Sequence, residues 1–163
     1  MIFFDVISHG LWGGALFGWR KNYWWAFGFG VMPDILTFGP YAIYRLLSGD
    51  LAYGRPAIGD YPPWLFTMYD ITHSLIIAGI IVFILFKLVP PIGYASLAWI
   101  LHILMDIPSH SHDYFPTPFL YPISDFTVDG FYSIYMWGVN WFLLIIVYTF
   151  FFLQKRSQKS KAK

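Results

Sequence analysis

The stretch HILMDIPSHSH, residues 102–112, closes an apolar run and sets His102, Asp106, His110 and His112 within eleven positions. Such side chains are tolerated beside apolar ones only when they are hydrated, paired or bound to an ion. The rest of the chain decides what the run is. Of 163 residues, 58% are hydrophobic and 23% aromatic, and only 12% are charged, where an ordinary soluble domain has about 25%. Mean hydropathy is +0.56. A soluble fold of this length cannot hide that much apolar surface, so the composition points to an integral membrane protein. There is no cysteine, which excludes disulfides and thiolate metal sites. All nine acids are aspartates, and the net charge of +1 gives no sign of a nucleic-acid partner.

Apolar runs fall at about 2–19, 23–46, 64–89, 92–107 and 131–153. The fold expected is an all-α, polytopic membrane bundle of about five transmembrane helices, with four plus a re-entrant segment as the alternative. Residues 1–153 form one transmembrane domain, and 154–163 form a basic tail. Pro33 and Pro40 should kink the second span or end it early. The first run lacks the basic start of a cleaved signal and carries Asp5 and His9, so it reads as a retained span. A cytoplasmic C-terminus also places Arg20, Lys21 and Lys87 on the cytoplasmic side, as the positive-inside rule requires. The expected location is a cell membrane.

On this topology four spans deliver polar groups to the same, outer half of the bilayer. His9 lies ~10 Å in from the outer start of its span and His73 ~13 Å in, at 1.5 Å per residue. Asp34 stands past the middle of the second span, and His102 and Asp106 occupy the last turns of the fourth. Ionisable groups inside a membrane are expensive and mark functional sites. His102 and Asp106, spaced i, i+4, leave one helix face a turn apart and can reach one ion. Imidazole plus carboxylate without sulfur suits a divalent metal, zinc first, with manganese or iron also compatible. Asp70, three residues before His73, reads as an outer carboxylate orienting that imidazole, or as a ligand itself. Trp24, Trp25, Tyr61, Trp64, Tyr69, Tyr114 and Tyr121 lie near span ends and read as interfacial anchors. Gly10, Gly13 and Gly14 give the first span a small face for close packing.

In order along the chain, ISHG, GVMPD, THS and HILMD resemble the small membrane-bound metal-dependent hydrolases, the YdjM-like family. The resemblance covers most of the chain and implies a multi-span protein with a metal site and hydrolytic activity. A fainter likeness links His102, Asp106 and His112 to the H-x3-D-x5-H signature of zinc-dependent phospholipase C and S1/P1 nucleases. That likeness implies His9, Asp34, His73, His102 and Asp106 as metal ligands, with Asp106 bridging two ions and His112 on a further one. This chain begins Met1-Ile2 where those enzymes use an N-terminal tryptophan, and it has no glutamate. One or two ions are therefore expected.

The function expected is hydrolysis of a lipid or lipid-linked substrate, at a phosphoester or an acyl ester or amide, by metal-activated water. Asp34 or Asp106 would take the proton, and Arg45 and Arg55 would steer a phosphate. The rivals are a transporter or ion pathway, and a non-catalytic membrane protein whose metal only staples its helices.

Overall fold

The computed structural model describes residues 2–19, 21–49, 56–131 and 133–161. The described residues are all helical or irregular, with no strand. The elements are α1 (Ile2–Gly13), a π-helical turn (Gly14–Gly18), α2 (Tyr23–Ser48), a 3-10 turn (Ile58–Asp60), α3 (Pro63–Thr72), α4 (Leu75–Leu88), α5 (Pro90–Ser109) and α6 (Ile134–Lys161). The chain divides into two compact units, Met1–Phe131 and Tyr132–Lys163. Helix α6 runs without a break from the apolar segment into the basic tail.

In the first unit α2 and α5 are the central pair. Helix α1 packs on both, α3 on α2, and α4 on α5. The ends follow local chemistry. Prolines open α3 and α5 at positions where the missing N–H costs nothing. Gly49, with φ of 72°, closes α2 in the left-handed conformation that glycine adopts freely. Helix α2 continues through Pro33 and Pro40 as one 26-residue element, so of the two expected effects, a kink or an early end, the early end does not occur. Helices α1 and α2 come close. A Cβ at Gly30 would stand 2.7 Å from the His9 carbonyl oxygen, and one at Gly13 would stand 2.6 Å from that of Ala26. This contact carries His9 against α2. Ala26, Ala95 and Ala98 form the small-residue core between α2 and α5.

The expected third span is two helices. It breaks at His73-Ser74, where α3 and α4 meet at a bend of 50°. Ser74 leaves helical geometry and its hydroxyl accepts from the Ile77 N–H, capping α4. The loop from 110 to 123 supplies the remaining partners: Leu75 N–H donates to the Phe119 carbonyl at 2.9 Å, and the Ser74 hydroxyl donates to the carbonyl of Tyr121. Among the described residues two helices, Pro90–Ser109 and the Ile134–Gln158 part of α6, are long and apolar enough to cross a membrane, or three spans if the bent pair counts as one. The membrane character stands, whereas five spans is more than length and composition carry. Helix α1 is only 12 residues long, and the buried face of α2 mixes Ala26, Val31 and Tyr41 with Gly30, Pro33, Asp34 and Thr37.

Candidate metal centre

Four of the expected residues come together. Asp34 from α2, His73 at the α3–α4 break, and His102 and Asp106 from α5 each offer a ligand atom, all within 4.8 Å of one another. Their side chains are almost wholly enclosed: His73, His102 and Asp106 are 0–1% exposed, and Asp34 is 11% exposed.

The protons can be placed by elimination. The Nδ1 of His102 lies 2.7 Å from the Gly30 carbonyl, which can only accept, so Nδ1 carries the hydrogen. The Nδ1 of His73 lies 3.1 Å from the Tyr69 carbonyl and 3.0 Å from the Thr72 hydroxyl. The carbonyl again fixes Nδ1 as the donor. Thr37 donates to the Pro33 carbonyl and stands 2.7 Å from Thr72, extending the buried chain behind His73. The Trp99 indole N–H ties down the Thr72 carbonyl. In the neutral rings both Nε2 atoms are therefore bare, and they face each other at 3.3 Å. Two lone pairs at that distance repel unless a proton or a cation lies between them.

The carboxylates sharpen the problem. Asp106 Oδ2 is 3.1 Å from His102 Nε2 and 3.3 Å from His73 Nε2, yet neither Asp106 oxygen has a hydrogen-bond partner. The nitrogens stand around a point rather than in line with an N–H bond. Asp34 lies farther out, 3.6 Å from His73 and 3.8 Å from His102. Ligand atoms about 2.0–2.1 Å from a tetrahedral ion are ~3.3 Å apart, which is the separation that the two histidines and Asp106 show. Leaving a buried ion without its partner costs about 3–5 kcal/mol, so a cation resolves both the facing lone pairs and the orphaned carboxylate. The donor set of two imidazoles and two carboxylates fits a divalent metal ion.

His9 lies just outside this group of four. Its Nε2 is 3.3 Å from the other oxygen of Asp106, Oδ1, and its ring centroid is 4.2 Å from that of His102. Its Nδ1 is buried without a hydrogen-bond partner and stands 4.0 Å from Asp34.

The other expected residues fall elsewhere. His112 is exposed, held by its backbone N–H to Asp129 at 2.9 Å, because the chain turns away after α5 ends at Ser109. Asp70 does not orient His73; that imidazole is already satisfied by the Tyr69 carbonyl and Thr72, and no hydrogen bond joins the two among the described residues. Arg45 sits eleven residues along α2 from Asp34, about 16 Å at 1.5 Å per residue, with its guanidinium 6.0 Å from the Tyr41 ring. It does not reach the cluster. Arg55 lies outside the described residues. Of the expected interfacial aromatics, Trp24 and Trp25 are exposed, whereas Tyr61 and Tyr69 are buried with Tyr41, Leu65 and Phe115. The backbone carbonyl of Gly30, and Tyr69 and Thr72, were not foreseen as neighbours of the site. The one signal available was the i, i+4 spacing of Tyr69 and His73.

No protein-family model, no curated protein and no solved structure matches this chain.

Proposed function

We propose that the chain is an integral-membrane, metal-dependent hydrolase acting on a lipid or lipid-linked substrate. The observation that carries this reading is the convergence of the bare Nε2 atoms of His73 and His102 with Asp34 and Asp106 at the spacing of one ion's ligands. When bound, a zinc-like ion supplies a water acidic enough to attack at neutral pH and polarises the bond to be cut.

The protein's own residues divide the remaining work. His73 and His102, locked by their Nδ1 hydrogen bonds, and the sealed Asp106 form a rigid three-donor base. Asp34 is the loosest and most exposed donor, so its carboxylate is the group placed to accept a proton from water. Asp106 presents Oδ2 to the two histidines and Oδ1 to His9, the arrangement of a carboxylate that bridges two ions. The second ion of this reading rests on that pair. Enclosure among apolar helices favours a substrate whose tails remain in the bilayer. The topology that accompanies the reading has the basic tail cytoplasmic and the site in the outer half of the membrane.

A second reading is favoured by the ligand count. Four protein donors can close a tetrahedral shell, as structural sites do, and such an ion would only staple α2, α3 and α5. The longer distances to Asp34 favour an open position instead.

The test is metal content by mass spectrometry of the detergent-purified protein beside His102→Ala and Asp106→Asn. One or two divalent ions per chain, lost in both variants, support the site and justify screening lipid phosphoesters and esters. A folded wild type that holds no ion and takes none up overturns it.

A further inference from the structure

We propose that Tyr69 is a positioning residue for His73, through which the 110–117 segment holds the metal ligands in register. The inference rests on the metal-site reading above and concerns how that site is kept in shape.

Tyr69 touches His73 in two ways. Its carbonyl accepts from His73 Nδ1 at 3.1 Å, which fixes the imidazole's tautomer. Its ring lies against the imidazole with centroids 3.9 Å apart and planes 23° from parallel, which fixes the ring's plane. His73 ends α3 where the helix breaks, so no continuing turn restrains it. The stack supplies the restraint that the broken helix cannot.

The far end of Tyr69 is anchored in turn. Its phenol oxygen lies 2.9 Å from the Phe115 carbonyl, 2.8 Å from His110 Nδ1 and 3.4 Å from the Thr117 hydroxyl. The phenol has one hydrogen, and the carbonyl can only accept, so the phenol donates to Phe115. His110 Nδ1–H then donates to the phenol oxygen. His110 is itself fixed: its backbone N–H bonds to the Asp106 carbonyl, and its carbonyl accepts from Gly130 N–H at 2.9 Å. A Cβ at Gly130 would lie 2.6 Å from that carbonyl oxygen, so only glycine permits the approach. A continuous set of contacts thus runs from Asp106 through His110 and Tyr69 to His73, two ligands joined by a route outside the ion. The loop acts as a brace across the site.

The experiment is a double-mutant cycle with Tyr69→Phe and His110→Ala on the full chain in detergent. Zn2+ affinity is measured by competition with a chelator, the visible spectrum is recorded with Co2+, and thermal unfolding is followed without metal. Losing a partner behind a metal ligand weakens binding about 10–100-fold. Tyr69→Phe is expected to weaken Zn2+ binding about tenfold and to alter the Co2+ bands. The double variant should bind no more weakly than Tyr69→Phe alone, since both changes cut one connection. Unchanged Zn2+ affinity and Co2+ bands in Tyr69→Phe, with only a lower unfolding temperature, would reduce Tyr69 to packing and overturn the proposal. Fully additive losses would overturn the link through His110. A wild type that binds neither ion overturns the metal reading itself, a result distinct from a metal-binding wild type with an indifferent Tyr69→Phe.

Discussion

Gly30 has two duties. Its carbonyl accepts the hydrogen bond from His102 Nδ1–H, and its bare Cα lets the His9 carbonyl approach. A methyl group there would meet the His9 oxygen at 2.7 Å and the Gly10 Cα at 3.0 Å, both backbone atoms that cannot swing aside. Overpacking of this kind costs about 1–3 kcal/mol, so Gly30→Ala should lower the unfolding temperature in detergent and loosen metal binding with it. Gly28, one residue pair earlier on the same helix, has nothing within 4 Å of its would-be Cβ. There the helix gains about 0.5–1 kcal/mol from alanine, and Gly28→Ala should be neutral or stabilising. Equal effects at the two positions, in the same thermal measurement, would refute this reading of the α1–α2 contact. At this scale the sequence was informative about side chains and silent about backbone. His73, His102, Asp34 and Asp106 announced themselves as ionisable groups in apolar runs. Gly30 is one of 14 glycines, and nothing in its neighbours says that its carbonyl orients a histidine 72 positions away. His112 misled for a related reason. Motif spacing fixes distance along the chain, but the chain leaves its helix at Ser109.

The α3–α4 break is the element that hydropathy conceals. Residues 64–89 read as one span because DITHSLII contains neither proline nor glycine, and the break is imposed from outside by the 110–123 loop. In a membrane, irregular backbone survives only where protein or water satisfies it. Here Phe119 and Tyr121 supply the carbonyls and Ser74 the cap. Ser74→Ala removes both the cap and the bond to Tyr121; a lost cap alone costs about 1 kcal/mol. The variant is expected to unfold at lower temperature, and hydrogen exchange should rise first at Leu75–Ile77. Exchange unchanged there would mean that the loop bonds alone hold the break. At α2 the prolines suggested a kink or an early end, and the helix does not end early. Pro33 removes only one hydrogen-bond donor, and the close packing of α2 on α1 and α5 keeps the helix whole.

At the scale of the molecule, composition announced the helical class and the membrane, while two to three of the five expected spans are long and apolar enough among the described residues. Apolar length was counted without asking how much of it faces protein. Helix α5 is 44% buried within its apolar window, whereas the window in α6 is 6% buried. An exposed apolar helix of that length requires lipid or detergent around it. The chain is accordingly expected to stay with membranes through alkaline carbonate and high salt and to be released by detergent. Recovery in the carbonate supernatant would contradict the membrane assignment. The cluster also has a consequence for how such a protein matures. Its donors are scattered over three helices, and no single helix presents more than the His102–Asp106 pair. A nascent chain therefore has no competent trap until α2, α3 and α5 have inserted and docked. Asp34 is the most exposed of the four donors. On the proposed metal-site reading, capture of the ion would be a late event in biogenesis, and chains made under metal starvation would accumulate as assembled, waiting precursors.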